Sequence, residues 1–209
     1  MSDVEQYLEG LHPQPNPVIV EVERRSRAGG VPAISRETGR FLATIVHAMQ
    51  ANRILEIGTG YGCATLWMAL AQPPAGKIWT IDPDVTRTDV ARLYFESAGE
   101  AESIEVLNQP VVELLETFPQ RNLDIVFINA DPLQYGAYLD LAIPTLKRSG
   151  LVVVEHCLLA GRVAQPELPS DDEHVRAMRA FNRAFLTHAD LAAAILPLGD
   201  GLGVGARTH

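Results

Sequence analysis

Arg53-Ile54-Leu55-Glu56-Ile57-Gly58-Thr59-Gly60-Tyr61-Gly62 is the stretch on which the reading of this chain turns. Five residues, mostly apolar, predict a strand, and three glycines in alternation predict a tight loop. Residues 63 to 72 then read as a helix. Outward from this unit the pattern repeats. Lys77-Ile78-Trp79-Thr80-Ile81-Asp82, Ser103-Ile104-Glu105-Val106-Leu107, Leu123-Asp124-Ile125-Val126-Phe127-Ile128 and Leu151-Val152-Val153-Val154 read as strands. Helices are expected at about 86–98, 111–118 and 134–147 between them. Strands apolar on both faces belong inside a parallel sheet covered by helices. The alternation predicts an α/β, Rossmann-like, mostly parallel sheet with helices on both faces. The end departs from it. Ala192-Ala193-Ala194-Ile195-Leu196 and Leu202-Gly203-Val204-Gly205-Ala206 flank Gly199-Asp200-Gly201, which predicts an antiparallel C-terminal hairpin, weakened by Gly203 and Gly205.

The loop has the spacing G-x-G-x-G, and Cys63 stands where the dinucleotide fingerprint has its third glycine. Glu56, just before the loop, suits a cationic ligand better than a pyrophosphate. S-adenosylmethionine (SAM) carries a sulfonium and an ammonium, and Glu56 can meet the ammonium directly or through water. Asp82 ends the next strand, where an acid can accept both ribose hydroxyls. Its alternative role is to cap the turn at Pro83-Asp84, and that of Glu56 is a buried acid paired with a backbone amide. The cofactor-binding set is therefore Glu56, Gly58, Thr59, Gly60, Tyr61, Gly62, Asp82 and Asn129.

Residues 1–33 read as an N-terminal helical appendage and 34–209 as the SAM-binding domain. Pro13, Pro15 and Pro17 interrupt helix, and Gly29-Gly30 with Pro32 marks a loop. Ser35 is read as the N-cap of the helix that follows. The net charge of −9 disfavours a nucleic-acid substrate, although Arg24, Arg25 and Arg27 cluster locally. That cluster is most simply a solvated helix end. Two cysteines, Cys63 and Cys157, make no disulfide framework. Met1-Ser2-Asp3-Val4-Glu5 is polar and acidic, and no apolar run spans a bilayer, so a cytoplasmic location is expected.

At Leu55-Glu56-Ile57-Gly58-Thr59, Thr80-Ile81-Asp82 and Phe127-Ile128-Asn129-Ala130-Asp131 the chain resembles the small cation-dependent O-methyltransferases. These include catechol and caffeoyl-coenzyme A O-methyltransferases and bacterial relatives. Tyr135, Gly161-Arg162-Val163 and Leu198-Gly199-Asp200-Gly201-Leu202 carry the likeness further. The resemblance implies a seven-stranded sheet with a reversed last strand, a small hydroxylated acceptor and a homodimer. It also implies a metal site and a catalytic lysine, and here the sequence departs. The family's F-I-D-A-D-K reads Phe127-Ile128-Asn129-Ala130-Asp131-Pro132, and its later Asp-Asn pair reads Glu155-His156. A divalent metal is thus doubtful, with Asn129, Glu155 and His156 as the positions left to hold one. Mg²⁺ tolerates such a set poorly. Ala64 replaces the serine that usually follows the loop.

Two readings stand for His156: the general base that takes the acceptor's proton, or a structural histidine bonded to a neighbouring carbonyl. The function expected is SAM-dependent O-methyl transfer to a small hydroxylated molecule without Mg²⁺. The alternative is a SAM-binding protein that has lost catalysis and serves as a sensor or assembly partner. An NAD-dependent oxidoreductase is disfavoured by the missing glycine, and a tRNA methyltransferase by the acidic balance.

Overall fold

Strand and helix alternate from Arg53 onward, as the apolar spacing predicts. The computed structural model describes residues 3–168 and 170–209, so Met1 and Ser2 of the polar N-terminus lie outside the described residues. The strands are β1 (Arg53–Ile57), β2 (Lys77–Ile81), β3 (Ile104–Leu107), β4 (Leu123–Ile128), β5 (Leu146–Val154), β6 (Leu191–Leu196) and β7 (Leu202–Arg207). The helices are α1 (Asp3–Leu11), α2 (Pro17–Gly29), α3 (Arg36–Met49), α4 (Cys63–Ala69), α5 (Val85–Ala98), α6 (Val111–Thr117), α7 (Tyr135–Ala142) and α8 (Glu173–Leu186).

All seven strands join one sheet in the order β3-β2-β1-β4-β5-β7-β6. Strands β1 to β5 run parallel, and β7 is antiparallel to both β5 and β6. The chain winds outward from β1 to β3, then returns to place β4 beside β1. Their carboxyl ends form the switch point, where open parallel sheets bind ligands. The reversed β7, inserted between β5 and β6, is the expected hairpin. Its glycines make room for α8: a Cβ on Gly203 would lie 3.1 Å from Phe185, and one on Gly205 would lie 3.2 Å from it.

Side-chain alternation along the strands decides which layer each residue serves. Leu55 and Ile57 of β1, and Val152 and Val154 of β5, share a core with α6, α7 and α8. Ile54 and Val153 face the other core, with Leu42 of α3, Leu66 of α4 and Phe95 of α5. By the same period Glu56 and Glu155 point into the α3–α4–α5 layer. Ser35 caps α3, accepting the Thr38 N–H at 3.1 Å. Asn16 caps α2 at its start, and Gly30, with φ +66°, caps its end.

One expectation is corrected. The helix expected to about 147 stops at Ala142, and β5 begins at Leu146. Pro144 lacks the N–H a helix interior needs, so the chain passes through a 3₁₀ turn instead. Leu146 then pairs with Leu123 ahead of a register shift. Among the described residues no helix is long and apolar enough to cross a membrane.

Candidate active site

The three loop glycines have different reasons to be glycine. A Cβ on Gly58 would fall 1.9 Å from the Asn129 carbonyl oxygen, and one on Gly62 would fall 2.5 Å from Phe95. Both are therefore demanded by the protein's own packing against β4 and α5. A Cβ on Gly60 would meet nothing nearer than Val31 at 3.5 Å and the Pro32 carbonyl oxygen at 3.9 Å, both ordinary contacts. This middle glycine, at φ +52°, borders open space.

Glu56 lies beneath the loop and does not line the cavity beside it. It is fully buried. Its Oε2 accepts hydroxyls from Thr65 and Thr80, and Thr80 in turn meets Thr59 Oγ1 at 2.6 Å. Burial drives the Glu56 carboxyl up to about 7, against the pull of the two threonine hydroxyls. The acid thus ties loop, α4 and β2 together from behind. Its partners are hydroxyls, where sequence offered a SAM ammonium or a backbone amide.

Asp82 does line the cavity. Its Oδ2 accepts the Gly60 N–H at 2.9 Å and its Oδ1 the Asp84 N–H at 3.0 Å. The turn-capping role and a place at the cavity wall are therefore both realised. Each carboxylate oxygen keeps a second lone pair for a ligand.

The cavity has a volume of about 630 Å³ and runs along the carboxyl ends of β1, β2 and β4. Gly58, Thr59, Gly60, Tyr61, Asp82, Asn129 and His156 all line it, so the structure brings these sequence-chosen residues together. Gly62 and Glu56 support the loop from outside. Tyr138 borders the cavity, whereas Tyr135 is fully buried. Cys63 also lines it, and burial pushes its thiol up to about 12, which disfavours a thiolate there.

Several lining residues escaped the sequence reading. Val31-Pro32-Ala33 and Ile34 form one wall, and Pro110 to Glu113 at the start of α6 form another. The turn residues Gly29-Gly30 and Pro32 flagged a loop, but nothing in them says which way it folds. Asp200 escaped too. Gly199-Asp200-Gly201 was read as turn chemistry and as part of the family likeness, with no role given to the acid, and that acid was the available signal.

At the far end, beyond β5, lie Glu155 and His156. Glu155 is buried on the α3 side, where Thr38 donates to its Oε1 at 3.3 Å. Burial raises its carboxyl to about 7, and nearby Asp200 adds to the shift. His156 has φ +65°, and its Nδ1 lies 3.0 Å from Asp200 Oδ2. Its partner is thus a carboxylate, not the neighbouring carbonyl of the structural alternative. Asn129 contributes a neutral carboxamide. This donor set offers a hard dication one carboxylate turned towards Thr38, an amide and an imidazole committed to Asp200, which fits Mg²⁺ poorly. Among the described residues no group of three or more His, Cys, Asp or Glu side chains is placed to hold a metal ion.

Sheet order, reversed hairpin and a cavity between a glycine loop and a strand-end acid define a class I SAM-dependent methyltransferase. Residues 19–208 match the model of the O-methyltransferase family, and the chain belongs to that family. It is 32% identical over 200 residues to a catechol O-methyltransferase of Mycobacterium tuberculosis, covering 94% of this chain and 90% of that protein. Among solved structures it is similar to an O-methyltransferase of Streptomyces achromogenes involved in tomaymycin synthesis, in complex with SAM. That likeness has a TM-score of 0.88 at 26% identity, over 100% of this chain and 97% of the other. An O-methyltransferase of Bacillus cereus, in complex with S-adenosylhomocysteine, superposes with a TM-score of 0.86 at 25% identity, over 99% and 98%.

Proposed function

We propose that this enzyme methylates a hydroxyl of a small, phenol-like acceptor, with His156 as general base and without dependence on Mg²⁺. One observation carries the reading: a single cavity reaches from the Gly58–Gly62 loop and Asp82 to the imidazole of His156. The acceptor class follows the relative named as a catechol O-methyltransferase. SAM supplies a methyl group already activated by its sulfonium, so the chain's main tasks are alignment and proton removal. Asp82 accepts the ribose hydroxyls, the loop backbone and Asn129 hold the rest, and Glu56 keeps the loop in shape. His156 takes the proton that the family's metal and lysine would otherwise manage.

Residues 1–33 are read as a helical appendage to the domain at 34–209, and Val31 to Ala33 line one wall of the cavity. We assign a homodimer, supported by the exposed Tyr7 and Leu11 of α1. A cytoplasmic location agrees with two free, buried cysteines. The test is turnover of labelled SAM with catechol and a panel of other phenols. His156→Ala should lower the rate about a hundredfold or more while SAM still binds in calorimetry. Full turnover by that variant would exclude His156 as the base.

A further inference from the structure

We propose that Asp200 is the positioning residue of the reaction: it fixes the imidazole of His156 in the tautomer that can accept a proton. The inference rests on the reading of His156 as the base and extends it to the turn between β6 and β7. His156 Nδ1 lies 3.0 Å from Asp200 Oδ2, while Asp200 Oδ1 accepts the Ala160 N–H. A carboxylate has no hydrogen to give, so the ring donates from Nδ1. The lone pair of the neutral ring then sits on Nε2, the nitrogen left free on a side chain that lines the cavity. An isolated histidine side chain prefers the opposite tautomer, with its hydrogen on Nε2. Asp200 therefore reverses an intrinsic preference in the direction catalysis needs.

The turn that carries Asp200 is clamped against the residues that follow His156. Cys157 N–H donates to the Gly201 carbonyl and Leu158 N–H to that of Asp200, both at 2.9 Å. A Cβ on Gly201 would fall 2.7 Å from Leu158 N, so no other residue fits so close a turn. His156, Leu159 and Ala160 all take positive φ, an arrangement unfavourable for residues with a Cβ. The strained His156–Ala160 segment is thus held on the turn by backbone bonds and by Asp200, and the Asp200–His156 contact orients the ring of a residue that lines the cavity. Glu155 cannot serve instead, because its side chain faces α3 and Thr38.

The acceptor O–H proton passes to His156 Nε2 as its oxygen forms a bond to the methyl carbon of SAM. The carbon–sulfur bond breaks with its electron pair on sulfur, leaving S-adenosylhomocysteine and an imidazolium held by Asp200. That imidazolium then releases its proton to solvent.

The experiment records two-bond proton–nitrogen spectra of ¹⁵N-histidine-labelled, SAM-loaded protein at alkaline pH, for wild type and Asp200→Asn. Wild type should carry its hydrogen on Nδ1 of His156, and Asp200→Asn should return it to Nε2. Turnover of the variant with catechol should fall about a hundredfold or more, with its SAM affinity kept within about threefold. A wild-type hydrogen on Nε2 overturns the proposal. So does full turnover by Asp200→Asn alongside loss in His156→Ala. Full turnover by His156→Ala, with the wild-type hydrogen found on Nδ1, would sink the base assignment while leaving Asp200 as the group that sets the tautomer. The wild-type spectrum requires neither a known acceptor nor a folded variant.

Discussion

Asp82 performs two duties with one carboxylate. It orders the glycine loop through the Gly60 N–H and its own turn through the Asp84 N–H, and it still faces the cavity. Asp82→Ala should weaken SAM binding by roughly 1.5–3 kcal/mol, or about ten- to a hundredfold, as calorimetry will read. Unchanged affinity would remove Asp82 from the cofactor site. Glu56 makes a different prediction. Its folded carboxyl titrates at about 7, above the ordinary 4.5, so the folded state holds this proton more tightly than the unfolded chain. The resulting stability is fully present below about 4.5 and is lost as pH rises through about 7. Glu56→Gln cannot titrate. Its melting temperature should therefore gain on wild type as pH rises across that window, in protein free of SAM. Parallel melting curves would show that burial has not shifted this acid. The sequence made Glu56 conspicuous because it precedes the loop. Its direction was legible only through strand period, since Glu56 shares a face with Ile54 and not with Leu55.

Among the elements, strands fully buried on both faces were the easiest to read. Leu123–Ile128 is buried at every position, and its apolar run states as much. The ends of α7 and β5 were hidden, because Pro144 interrupts a helical pattern while Leu146 pairs far from its sequence neighbours. The wall at Val31–Ile34 was hidden for the same reason: a loop's chemistry marks a turn, and tertiary packing decides where it lies. Ile19 and Val22 of α2 are buried in the core shared with α3, α4 and α5. A chain lacking residues 1–33 should lose that cover and part of the cavity wall. It should melt at lower temperature and bind SAM more weakly than the full chain. Equal melting and equal affinity would show that α1 and α2 contribute neither to the core nor to the site.

For the whole molecule, a net charge of −9 and a cavity of about 630 Å³ favour a small acceptor over a phosphate backbone. Light scattering on the full chain should report a dimer, and a well-behaved monomer would count against the assembly proposed. At the positions where the family resemblance places metal and lysine, in contrast, this chain carries other residues. Asn129 lacks charge, Glu155 is turned towards Thr38, His156 is bound to Asp200, and Pro132 stands where the lysine would be. The measurement that bears most directly on the account is methyl transfer to a phenol panel with and without a strong chelator. Most of the activity should survive chelation, and added Mg²⁺ should not raise it. Turnover abolished by the chelator and restored by Mg²⁺ alone would contradict the account and make Asn129 a working ligand.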